Sequence, residues 1–346
     1  MKKSNTVAAE NEKTVGNGMS KKEAMKIRKQ YMNREELAYL RRKRAFECVW
    51  PFFRFFILLG LGFVILYPII FMISHAFRDP GDMNDPTVMW IPRNYTLSVM
   101  KDTIGVMNYW ETLKTTLFIN IGCSLVTVLS CSITGYGFAR FKFKGKGFLF
   151  AIVVLMILVP TQIVMMPQYE IFRYWFAPIV KAINGTERGL IDNPLVMYLP
   201  ALTANGIRAG LFILIFRQFF KGLPKELEDA AYLDGCGPLR TFVQIMVPNA
   251  ASSFLTVFLF AVVWYWNDYY VSSVFFNNNQ TIALMLKNLS TQLSQKLFAT
   301  STTPDVRQII VWLEAGCLLS ITPILVMYVF LQKYFTEGIE RSGLVG

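Results

Sequence analysis

Three charged residues stand inside otherwise apolar runs: Arg208, Asp268 and Glu314. Counted at 1.5 Å per residue, Arg208 lies about 17 Å and Asp268 about 28 Å from the inner ends of their runs. Glu314 lies about one turn below the outer end of the last run. A charge facing hydrocarbon costs a few kcal/mol at least, so each should face protein or a water-filled cavity. Their opposite signs suggest that Arg208 pairs with Asp268 or Glu314. Trp264, Trp266 and Asn267 flank Asp268, and aromatic faces beside polar side chains suit a ligand with CH faces and hydroxyls. The break at Asn205-Gly206 would open backbone groups to the same cavity. The alternative is a structural salt bridge near the interface, with the tryptophans as an aromatic belt.

Other chemistry is excluded by what is missing. His75 is the single histidine, which rules out most His-based metal and triad chemistry. Cys48, Cys123, Cys131, Cys236 and Cys317 are odd in number and widely spaced, so they read as small core residues rather than a disulfide framework. No G-x-x-x-x-G-K-[ST] phosphate loop, no H-E-x-x-H and no G-x-S-x-G occurs. The chain therefore reads as a non-enzyme without cofactor or metal, driven by a partner or an ion gradient. A secondary transporter would commonly show two related halves, and no internal repeat is evident.

The positioning elements are membrane helices. Hydrophobic residues make up 53% of the chain and aromatics 15%, too apolar for a soluble domain of this size. Apolar runs near 52–77, 115–138, 148–168, 195–219, 249–276 and 309–331 predict six spans of an all-α membrane protein, each long enough for a ~30 Å hydrocarbon core. Pro68 should kink the first, and Pro160 and Pro167 interrupt the third. Six spans put both termini on one side. With the N-terminus inside, inner segments hold 13 Lys and Arg in residues 1–50 and 11 more beyond, against 10 in the outer segments. This positive-inside bias places both termini in the cytoplasm. Residues 1–20 lack periodicity and read as disordered. Residues 20–47 are basic and helix-prone, and read as a topology signal or a helix on anionic lipid. Nucleic acid is not expected as a partner, because the Arg41–Arg44 cluster abuts a span.

Between the fourth and fifth runs lies Glu226–Pro248, ELEDAAYLDGCGPLRTFVQIMVP. Glu226, Glu228 and Asp229 favour the positive end of a helix dipole, Ala230 and Ala231 add propensity without bulk, and Asp234-Gly235 is a helix stop. Asp229-Ala230-Ala231, three residues, Gly235, nine residues and Ile245-Met246-Val247-Pro248 resemble the EAA loop of ABC importer permeases, E-A-A-x3-G-x9-I-x-L-P. Pro92-Arg93-Asn94-Tyr95-Thr96-Leu97, the Trp266-Asn267-Asp268 motif and the C-terminal tail are similar to the sugar-importing branch, including the second permease subunit of maltose importers. The tail has Ser342 and Val345 where that family typically has Gly and Lys.

The resemblance implies a type I ABC importer permease fold in a bacterial cell (inner) membrane, with the loop docking on the ATPase through Glu226, Asp229, Ala230, Ala231, Asp234 and Gly235. It implies a second permease subunit, two ATP-binding cassette subunits and an extracytoplasmic solute-binding protein, with membrane lipid around them. Arg208, Trp264, Trp266, Asn267, Asp268 and Glu314 would line the outer part of a sugar path. The organisation expected is a basic tail over 1–50, a first span and outer segment over 51–111, and a permease core over 112–346 containing the coupling loop 221–248. Another small polar solute is the alternative cargo.

Overall fold

The computed structural model describes residues 34–85, 91–185, 187–278, 280–296 and 306–343. The expectations for residues 1–33 and Val345 lie outside them. The described residues form helices and their connections, plus one isolated antiparallel bridge between Arg78 and Tyr95. The chain divides into two units, residues 1–68 and 69–346.

The described part of the first unit is a single helical stretch. Helix α1 spans Arg34–Ala76 and continues through Pro51 and Pro68. From Val49 to Ile73 its side chains, Arg54 apart, are apolar on every face and mostly exposed. A helix apolar all round suits lipid rather than water.

The second unit is built on α3 (Tyr109–Arg140). Before it come a 3₁₀ turn at Pro80–Asn84 and α2 (Ser98–Val106). After it come α4 (Lys146–Leu158), α5 (Thr161–Glu170), α6 (Ala177–Asn184), α7 (Leu195–Leu202) and α8 (Ala209–Gly222). Then follow α9 (Glu226–Leu233), α10 (Pro238–Thr241), α11 (Val247–Asn249), α12 (Ala251–Trp266), α13 (Tyr270–Phe275), α14 (Ile282–Lys296) and α15 (Val306–Gly343).

The inward stripe of α3 carries small and polar residues, among them Thr116, Asn120, Cys123, Ser124, Thr127, Cys131, Ser132 and Gly135. Small residues let helix backbones approach within a membrane, where hydrophobicity does not drive association. A Cβ at Gly135 would lie 2.6 Å from that of Phe216 on α8. Hydrogen bonds complete the contacts: Asn120 Nδ2 donates to the Val262 carbonyl at 2.9 Å, Ser130 Oγ to the Ala201 carbonyl at 2.6 Å, and Thr127 Oγ1 meets the Tyr265 hydroxyl at 3.0 Å.

Several predicted spans are interrupted. Among the described residues three helical stretches are long and apolar enough to cross a membrane: Val49–Ala76, Tyr109–Arg140 and Ile309–Lys333. The expected third span is instead α4 and α5, bent by 104° where Pro160 turns the backbone extended. The expected fifth span begins at an 81° bend before α12 and is cut again after Trp266. The expected fourth is two short helices separated by Thr203–Arg208, where Ala204 and Arg208 have φ of 53° and 57°. The polar stretch after Asn277 contains α14, whose Ile282, Met285, Leu289 and Leu293 form a second core with α2 and α15.

Candidate functional site

Helix α9 carries the loop surface. Its first turn holds Glu226, Glu228 and Asp229, and its last residues hand over to Gly235 at φ 79°. Gly235 N–H donates to the Tyr232 carbonyl, and Cys236 N–H to that of Ala231 at 2.9 Å. These are the bonds of a helix closed by a left-handed residue. Glu226, Asp229, Ala230, Asp234 and Gly235 are exposed. Ala231 is not: it is buried at 5% exposure, because it falls on the inward face with Glu228. The open face also carries Leu233, 90% exposed, and Leu239, 74% exposed.

The buried anchor of this surface is Glu228. Tyr136 Oη donates to its Oε1 at 2.7 Å, and Arg140 Nε lies 3.1 Å from its Oε2 without the alignment of a hydrogen bond. Arg140 Nη2 donates to the Leu223 carbonyl at 2.7 Å. The end of α3 is thereby tied to both sides of the turn into α9. Sequence reasoning missed this role. The available signal was a carboxylate one residue before the Asp-Ala-Ala triplet, with Tyr136 and Arg140 four apart on one helix face.

A second feature is a cavity of about 460 Å³ reached by α4, α5, α7, α8 and α12. Arg208 and Trp264 line it, with the Arg208 guanidinium 4.2 Å from the centre of the indole ring. Thr161, Gln168, Asn205 and Tyr265 supply the other polar groups. Gly206 is required there, since a Cβ would come within 2.5 Å of the Tyr265 hydroxyl.

The other four expected path residues are placed differently. Trp266 is buried at 7% exposure, and its Nε1 donates to the Ser320 carbonyl of α15 at 3.2 Å. Asn267 Nδ2 donates to the Val263 carbonyl, closing the end of α12. Asp268 starts α13, accepting from Ser272 N–H at 2.9 Å and Ser272 Oγ at 3.0 Å. Glu314 is half-buried on α15 and does not line the cavity. Among the described residues no ion pair joins Arg208 to Asp268 or Glu314. The expected bridge is replaced by a cation on an aromatic face and a carboxylate held by backbone.

The Pro92–Leu97 motif has a structural basis. Asp82 accepts from Arg93 N–H at 3.0 Å, Asn94 N–H at 2.9 Å and Asn94 Nδ2 at 3.2 Å. These bonds hold its carboxyl below the ordinary carboxylate range, the Asn94 N–H foremost.

Long and broken apolar helices joined by small-residue contacts define a helical, multi-span membrane protein. The chain belongs to the family described as "Binding-protein-dependent transport system inner membrane component", which matches residues 131–341. The arabinooligosaccharides transport system permease protein AraQ of Halalkalibacterium halodurans is 26% identical over 291 residues, covering 83% of this chain and 93% of that protein. The probable starch degradation products transport system permease protein AmyC of Thermoanaerobacterium thermosulfurigenes is 24% identical, covering 82% of this chain and 94% of that one. In fold the chain is similar to a crystal structure of a bacterial ABC transporter involved in the import of the acidic polysaccharide alginate. The TM-score is 0.64 at 20% identity, over 88% of this chain and 99% of that one. The fold is thus that of a type I importer permease, and the family's place is the inner membrane.

Proposed function

We propose that this chain is the membrane-spanning permease subunit of an ATP-driven importer, passing a sugar or oligosaccharide delivered by an extracytoplasmic binding protein. The observation that carries the reading is α9: an exposed, small-residue helix with the EAA spacing, stopped at Gly235 and anchored through buried Glu228. The carbohydrate cargo is supported by the transport roles of its relatives. The six spans are the apolar part of α1, α3, the α4–α5 pair, the α7–α8 pair, α12 with α13, and α15. Both termini and α9 face the cytoplasm, as the basic residues indicate. The basic segment 1–50 holds its end inside, and residues 51–111 and 112–346 supply the first span with its outer segment and the permease core.

Glu226, Asp229, Ala230, Asp234 and Gly235 meet an ATPase subunit, and Ala231 supports them from beneath. Helix α15, helical to Gly343, extends toward the ATPase pair. The assembly pairs this chain with a second, different permease subunit and two ATPases. Purification from native membranes tests this. An ATPase subunit should come down stoichiometrically, and Gly235→Trp should abolish uptake while the chain remains inserted. Absence of any ATPase, with uptake collapsed by an uncoupler of ion gradients, overturns it.

A further inference from the structure

The cavity beside Arg208 has one sign of charge. Among the residues that line it Arg208 is the only ionisable group of unit charge at neutral pH, and no aspartate or glutamate reaches the wall. Its guanidinium meets no carboxylate among the described residues. Asp268, the acid next along from Trp264, is engaged by the start of α13. The positive end of the α8 dipole adds the same sign, because Arg208 precedes its first turn. A lone cation within membrane depth is costly unless water or an anion compensates it.

Arg208 is also held rather than loose. Its backbone is left-handed at φ 57°, its carbonyl accepts from Leu211 and Phe212, and its planar group lies on Trp264. A guanidinium so fixed offers a fork of donors matched to a carboxylate. The remaining wall is largely apolar, with the Gln168 and Asn205 amides, which suits the CH faces and hydroxyls of a sugar ring. The volume falls in the ~300–1,000 Å³ range of small-molecule sites.

We infer that this cavity binds a carboxylated sugar, a uronate, through a salt bridge to Arg208, whose guanidinium is positioned by the Trp264 ring. The inference rests on the importer reading above and names its cargo class. The alternative occupant is a carboxylate of the partner permease.

The test uses cells carrying the full transporter, with uptake of labelled digalacturonate and of its neutral counterpart galactobiose as probes. Wild-type cells should take up the acidic disaccharide. Arg208→Gln should cut that uptake more than 10-fold in a complex recovered with all its wild-type subunits, and Arg208→Lys should restore part of it. Trp264→Ala should reduce uptake as well, in an assembled complex. Wild-type uptake of galactobiose alone, or equal uptake of both by wild type and Arg208→Gln, overturns the uronate assignment and leaves the importer reading standing. Loss of the second permease from the Arg208→Gln complex assigns Arg208 to the partner's carboxylate and overturns the proposal. Failure of the importer reading shows separately, as no ATP dependence for either probe.

Discussion

Replacing Glu228 by alanine should separate the helix α9 surface from α3. The side chains of Arg140 and Glu228 are only 7% and 9% exposed, so water screens little of their interaction. Removing one partner of a fully buried ion pair costs about 3–5 kcal/mol, mostly from the stranded charge. Two features place this case near the lower figure. Arg140 keeps its bond to the Leu223 carbonyl, and its Nε contact with Glu228 is not aligned as a hydrogen bond. Tyr136 additionally loses an acceptor at 2.7 Å. We expect a loss of about 3 kcal/mol for Glu228→Ala, and of about 1.5–3 kcal/mol for Tyr136→Phe, which removes one bond to a charged group. The double variant Arg140→Met/Glu228→Met should recover most of the loss, because apolar groups of similar volume strand no charge. The assay is the unfolding midpoint of the purified complex in a denaturing-detergent titration, arranged as a double-mutant cycle. Single variants within about 0.5 kcal/mol of wild type, or a double variant whose losses simply add, would refute the anchor. If the anchor transmits motion from an ATPase, Glu228→Ala should also lower the sugar moved per ATP hydrolysed.

Gly235→Ala meets no clash, since the space around its Cβ is open, but its φ of 79° should cost about 1–2 kcal/mol; Gly235→Asn should cost less, and equal unfolding midpoints for both would contradict the conformational argument. Trp266→Phe loses the bond to the Ser320 carbonyl and should destabilise the protein by about 1 kcal/mol without altering substrate preference; a changed preference in uptake competition would return Trp266 to the path. For Asp82 the folded carboxyl titrates below its ordinary value of 3.8. Its contribution is therefore fully present above that pH and is lost as pH falls through the lowered folded value. Amide exchange at Arg93 and Asn94 should stay slow at pH 5 and quicken only below the unfolded value, whereas quickening near neutral pH would disprove the assignment.

The sequence carried the surface of α9 more fully than the path, and the reason is the kind of information each needs. A helix stop at Gly235 and acids in the first turn act through their own backbone, so residue type and spacing are enough. Ala231 was misplaced because the triplet reads as a unit in sequence, whereas successive helical residues point about 100° apart. The apolar runs likewise announced membrane segments, with Asn205-Gly206 and Pro160 marking two of their breaks, but not the angle at each. Pro160 was visible, yet a proline in a membrane helix does not reveal whether the chain kinks or turns through 104°. The Arg208 pairing failed for a different reason. Opposite charges in the middle and outer part of the membrane suggested a bridge, but depth does not fix angular position around each helix. The helix break after Trp266 changes that position: it frees the Ser272 N–H at the start of α13, and Asp268 satisfies it. With its carboxylate held locally, Arg208 is left to the indole of Trp264, four residues earlier and on the cavity side of α12. The same helix break therefore withholds a counterion from Arg208, leaving the cation in the cavity where an anionic cargo would meet it.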